Sequence, residues 1–226
     1  PVCIDIENRD CLVVGGGAVA LRKVEGLLDC GALVTAVSPK FQDGFAQIDD
    51  SKPLRLLRRA YRSTDLDDKF LVIGATDNED LNRQISQDAH CRNILCNIAD
   101  VPDACSFILP AVVRRGDLLL AVSTSGRSPA LARALRAELE ARFGPEYADF
   151  LALMGSVREE VLGRGRAQKE NQAQFQALVE SGLLDAVRRR DWSAAAAVLT
   201  EIVGTPWREE DVRSRIEQDE RRTPWR

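Results

Sequence analysis

Three places in the chain hold residues whose types and spacing could do chemistry. The first is Gly15-Gly16-Gly17-Ala18-Val19-Ala20, a G-x-G-x-x-A pattern between the apolar run CLVV and a helical stretch. In that setting Gly15 permits a tight turn, Gly17 lets the backbone approach a pyrophosphate, and Ala20 lets a helix pack closely on a strand. The first-turn N–H groups, including those of Ala18 and Val19, lack intrahelical partners and face the phosphates with the favourable end of the helix dipole. The predicted ligand is a dinucleotide. The second place is Asp100 in NIAD, at the end of another apolar run. A carboxylate there could accept a proton, or it could cap the turn DVPD. The third is STSGRSP, residues 123–129, where Ser123, Thr124, Arg127 and Ser128 lead into a helix N-terminus. That is an anion site by construction.

The elements that must position these residues alternate along the first hundred residues. Strands are expected at 11–15, 33–38, 54–59, 69–76 and 93–99, with helices at 18–31 and 78–90. Such alternation predicts an α/β fold, a Rossmann-type parallel sheet covered by helices. Ser38 and Pro39 close the second strand and Ala75 and Thr76 the fourth, so both pairs stand where a doubly wound sheet receives its ligand. Ser38-Pro39-Lys40 replaces the acid that usually grips a ribose. A neutral serine and a cationic lysine leave the choice between NAD and NADP open. Asp77 is the expected N-cap of the helix after the fourth strand.

The pattern changes near residue 106. Two apolar runs around RRGD, within 106–126, predict an antiparallel hairpin. Ser128, Pro129 and Gly144 bracket the next helix as N-cap, first position and stop. The text then stays helical, and TPWR occurs at 205–208 and 223–226, in a short helix or loose tail. The expected organisation is a nucleotide-binding domain at 1–112, a hairpin-plus-helix dimerisation region at 113–145 and a small helical C-terminal region at 146–226.

Composition removes other classes of function. A net charge of −4 argues against non-specific nucleic-acid binding. No run approaches the ~20 apolar residues a membrane span needs, and the N-terminal residues lack a secretory pattern. A cytoplasmic protein is expected. The six cysteines show no C-x-x-C spacing, so packed thiols are favoured over a disulfide framework or a protein-built metal site.

Six stretches, VVGGGAVALRKVEGLL, GALVTAVSP, GATDNEDLN, NIAD, SFILPAVVRRGDL and STSGRSPALARALR, occur in this order. Together they resemble the precorrin-2 dehydrogenase family, the N-terminal module of sirohaem synthases, from about residue 2 to 145. The resemblance implies oxidation of precorrin-2 to sirohydrochlorin with NAD as cofactor, in sirohaem biosynthesis. It also implies a homodimer, Asp100 as the general base, and a substrate-handling loop in which Thr124 stands where the family carries a serine. Some members of the family also insert ferrous iron. An acidic tetrapyrrole needs cations, and Arg114, Arg115, Arg127, Arg133 and Arg136 cluster around the hairpin and helix. A non-catalytic module that senses NAD(H) is the competing class, and it would have no use for Asp100 or the hydroxyl loop.

Overall fold

The computed structural model describes residues 2–165 and 167–219. The chain divides into two compact units, Pro1–Leu109 and Pro110–Arg226.

The first unit is a five-stranded parallel sheet in the order β3-β2-β1-β4-β5. Its strands are β1 (Asp10–Val14), β2 (Leu33–Val37), β3 (Leu54–Leu57), β4 (Leu71–Gly74) and β5 (Leu95–Ile98), with helices α1 (Ala18–Leu28) and α2 (Glu79–Cys91). Apolar residues in succession bury both faces, as a covered parallel sheet requires. Cys11 and Val13 pack with Ala20, Val24 and Ile73 on one side, and Leu12 and Val14 with Ile85 and Ile98 on the other. Leu12 and Ile73 are fully buried, each stabilising the fold by ~1.5–3 kcal/mol. The links into and out of β3 carry only the 3-10 turns Asp43–Gln47 and Ser63–Leu66.

The strands are one to four residues shorter than, or shifted from, the sequence reading, and three other differences have a visible local cause. α1 ends at Leu28, because Gly31 at φ +76° reverses the chain and the N–H groups of Cys30 and Gly31 bond back to Leu27 and Leu28. The cap of α2 is Asn78, not Asp77: the Asn78 side chain accepts the Leu81 N–H at 2.9 Å. Residues 106 and 107 are not part of the hairpin. The Ser106 N–H bonds the Cys96 carbonyl at 2.8 Å, and the Phe107 carbonyl accepts from the Asn97 side chain, so this stretch lines the open edge of β5.

The second unit begins with the hairpin β6 (Ala111–Arg115) and β7 (Leu118–Val122). Its two-residue loop starts with Gly116 at φ +56°, the left-handed first position that a II′ turn gives to glycine. A Cβ there would also lie 3.0 Å from that of Ala148. Helix α3 (Pro129–Arg142) follows, with Ser128 as N-cap accepting the Leu131 N–H. Helices α4 (Glu146–Gly163), α5 (Gln168–Glu180), α6 (Leu183–Arg188), α7 (Trp192–Val203) and α8 (Glu209–Asp219) share one core, centred on Leu153, Val157, Leu178, Leu183 and Leu199. The first TPWR copy leads into α8, and the second lies outside the described residues. The architecture is α/β, a Rossmann-type sheet followed by a hairpin and helices. Among the described residues no helix is long and apolar enough to cross a membrane.

Candidate active site

All five strands are parallel, so their carboxyl ends share one edge, and β1 and β4 at its centre form the topological switch point where such sheets take ligands. Consecutive loops are stitched together along this edge. Gly15 N–H bonds the Val37 carbonyl at 2.9 Å, Ala75 N–H the Val14 carbonyl at 2.8 Å, and Ala99 N–H the Gly74 carbonyl at 2.8 Å. The structure therefore brings Gly15, Gly17, Ala18, Val19, Ser38, Pro39, Ala75, Thr76 and Asp100 to one edge of one unit.

The three glycines have different reasons. A Cβ on Gly15, whose φ is +136°, would lie 2.2 Å from the Ala75 carbonyl oxygen, and one on Gly16 would lie 1.9 Å from that of Lys40. Both glycines are dictated by the protein's own packing. Gly17 is the N-cap of α1 in an extended conformation, and a Cβ there would meet nothing within 4 Å. No side chain caps α1, and no acid occupies its first turn. Open space over a bare helix N-terminus fits a dinucleotide pyrophosphate.

Ser38 plays a different part from a free ribose ligand. Its hydroxyl donates to the Lys40 carbonyl at 2.6 Å, which folds the 38–40 loop against Gly16 and leaves the oxygen only as an acceptor. Thr76 is locked as well. Its hydroxyl donates to Asn82 Oδ1 at 2.7 Å, and Asn82 Nδ2 donates to the Thr76 carbonyl at 3.0 Å. Asn82 is buried on α2 and was missed in the sequence because a polar residue within a helical stretch reads as surface.

Asp100 stands two residues beyond the end of β5. It is exposed, and its backbone adopts a left-handed φ of 61°, a conformation that costs about 1 kcal/mol or more outside glycine and that Asp tolerates better than most residues. Its carboxylate accepts no hydrogen bond from the described residues, so the capping role in DVPD is not realised. Lys23, half-buried on α1, lies near it. Burial and then Arg22 lower the lysine's pKa, while the charge of Asp100 works in the opposite direction.

The hydroxyl loop belongs to the second unit. Thr124 Oγ1 accepts the Ser128 N–H at 3.1 Å, Ser123 Oγ accepts the Ser125 N–H at 3.2 Å, and Ser128 caps α3. Ser125 and Gly126 are left-handed, so the loop is a tight turn, and its hydroxyls donate to no group among the described residues. Arg127 is exposed beside it. Arg115 and Arg136, both in the expected cation cluster, bind groups of this chain. Arg115 donates to the carbonyls of Phe143 and Glu140, tying β6 to the end of α3. Arg136 pairs with Glu140 at 2.7 Å. Cys11 and Cys96 are buried in the sheet core, and burial pushes each thiol up to about 11.

Residues 2–111 match the family model "Putative NAD(P)-binding", and residues 115–142 match "Sirohaem biosynthesis protein central". A siroheme synthase of Methylobacillus flagellatus is 41% identical over 164 residues, covering 73% of this chain and 35% of its own. One from Shigella flexneri is 34% identical over 207 residues, covering 91% of this chain and 45% of its own. The chain thus spans less than half the length of these curated relatives. Among solved structures, SirC, a precorrin-2 dehydrogenase, superposes with a TM-score of 0.70 at 23% identity, covering 98% of this chain and 99% of that one, and so shares the fold. With both segments matched in order on a sheet whose edge is shaped for a dinucleotide, the chain belongs to the sirohaem-biosynthesis family that joins an NAD(P)-binding domain to the sirohaem central segment.

Proposed function

We propose that this protein oxidises precorrin-2 to sirohydrochlorin with NAD, and that Asp100 is the general base. The observation that carries the reading is Asp100 itself, an exposed carboxylate in a left-handed backbone position on the same strand edge as the bare N-terminus of α1. An aspartate that accepts no hydrogen bond from the described residues is available to a substrate proton. Bound NAD supplies the hydride acceptor. Gly17, Ala18 and Val19 would hold the pyrophosphate through backbone N–H groups, and Ala75 and Thr76, at the carboxyl end of β4, would line the cofactor. Ser38 accepts a hydrogen bond from a ribose hydroxyl, next to Pro39. An Asp100 carboxylate oxygen takes the proton that leaves the macrocycle. Ser123, Thr124, Arg127 and Ser128 bind carboxylates of the tetrapyrrole. The test is precorrin-2 generated in situ with the protein and NAD or NADP. Appearance of the sirohydrochlorin spectrum is expected, and none with either cofactor would sink the reading.

A second reading follows from the relatives' name, siroheme synthase: the same site inserts Fe²⁺ into sirohydrochlorin, with iron as a substrate and Asp100 accepting pyrrole protons. Fe²⁺ or Co²⁺ added to sirohydrochlorin and protein then changes the absorption spectrum. If it does not, only the dehydrogenase remains.

We also propose a homodimer built on the hairpin and α3. Helix α3 has no buried residue, and Leu131 and Leu135 are 51% and 37% exposed. Apolar side chains so placed call for a partner surface.

A further inference from the structure

The loop that carries Asp100 is fastened by a thiol. β5 is the edge of the sheet, so its outward N–H groups at Cys96 and Ile98 need partners from elsewhere. Ser106 Oγ accepts the Cys96 N–H at 2.8 Å, and Cys105 Sγ accepts the Ile98 N–H at 3.1 Å. The Cys105 S–H reaches the Ile98 carbonyl at 3.3 Å and the Val101 carbonyl at 3.2 Å, serving one at a time. One sulfur thus bridges the residues on both sides of Ala99 and Asp100. The turn it spans is closed by Val101 N–H to the Ile98 carbonyl at 3.3 Å. Asn97 Nδ2 holds the Phe107 carbonyl at 3.0 Å, and Ser86 Oγ on α2 holds that of Ala104 at 2.9 Å. Ile98 is held within β5 and residues 104–107 are held against α2 and β5, so the thiol ties this anchored stretch to both sides of the Asp100 turn.

We propose that Cys105 is a positioning residue that holds the Ile98–Val101 turn in the form that presents the Asp100 carboxylate. The inference rests on the reading of Asp100 as general base. The side chain at 105 must accept from one backbone N–H and donate to a carbonyl on the far side of the turn. Alanine can do neither. Serine can do both with a shorter reach.

The experiment compares C105A, C105S, D100N and the double variant C105A/D100N in the full chain. In C105A, kcat falls about 10-fold, the scale of one or two lost hydrogen bonds, while KM for NAD and cofactor affinity hold; C105S recovers part of the loss. In the D100N background C105A changes nothing further, because a group acting through Asp100 has nothing left to position. Amide exchange supplies a readout without turnover: Ile98 and Val101 exchange at least several-fold faster in C105A. Equal losses in both backgrounds, or an unimpaired C105A beside an impaired D100N, overturn the positioning role and leave the base assignment standing. A D100N protein at the wild-type rate removes the base assignment, and this inference with it. Unchanged exchange at Ile98 and Val101 also overturns it. If C105A does not fold, C105S carries the same test.

Discussion

In the first unit the loops at the working edge are held by side chains from within the unit, Asn82 for Thr76, Ser38 for the 38–40 loop and Cys105 for the Asp100 turn. In the second unit the hairpin and α3 leave Leu131 and Leu135 in the open, and the helices that follow build a separate core. The difference teaches what each part needs. The sheet edge is preorganised by its own chain, as a site for chemistry should be. The hairpin and α3 leave apolar side chains exposed, which is the basis of the dimer proposed above.

The sharpest break in that comparison comes from Asp100. D100A should lower kcat about 10²–10⁴-fold, the range for a lost general base, with NAD affinity retained. D100N keeps the left-handed turn at little cost and should lose as much activity with less loss of stability. Wild-type turnover in both would reduce the first unit to a binding module.

The glycines separate folding from binding. G16A drives a methyl into the Lys40 carbonyl and should cost about 1–3 kcal/mol of stability, as overpacking does. G17A meets no protein atom and should melt like the wild type while binding NAD at least ~10-fold more weakly, the 1.4 kcal/mol of one lost phosphate contact. Calorimetry with and without NAD reads both effects. Should G17A bind NAD normally, the cradle is misassigned.

For the second unit, L131D and L135D together should convert a dimer into a monomer near 25 kDa in sedimentation, with the fold of the first unit intact. A wild-type monomer, or a dimer that survives both charges, would refute the assembly proposed here.

Alkali should distinguish the units most gently. All six cysteines lie in the first unit, while the helical core contains neither thiol nor phenol. Burial raises Cys11 and Cys96 from 9.0 to about 11, and burial followed by the bond to Asp88 raises Tyr61. A folded pKa above the unfolded one gives stability that is complete below pH 9 and lost as pH rises through 11. The loss is on the order of 2 kcal/mol per thiol. Lys23, held below its ordinary value, works the other way and softens it. The sheet unit's thermal transition should fall between pH 9 and 11 while the helical unit's, followed by Trp192 and Trp207, holds. A parallel fall in both would mean the two melt as one body.

Local patterns determined what depends on near neighbours in the chain. Strand–helix alternation, the glycine motif, the Ser128-Pro129 helix start and the RRGD turn were all legible, because buried runs, helix caps and tight turns impose residue types at short spacing. Asp100 was legible only as an acid after a strand. That its backbone is left-handed, and that its carboxylate accepts no hydrogen bond from the described residues, could be seen only in the folded Ile98–Val101 turn. Asn82 and Lys23 were invisible for the same reason, since a helical stretch does not say which polar residue turns inward. Only the tertiary structure separated Gly15 and Gly16, required by the chain that crosses them, from Gly17, required by nothing in the chain. Close approach between segments distant in sequence leaves no periodic trace, so the order of the elements could be read from the residues while the contacts that arm the site could not.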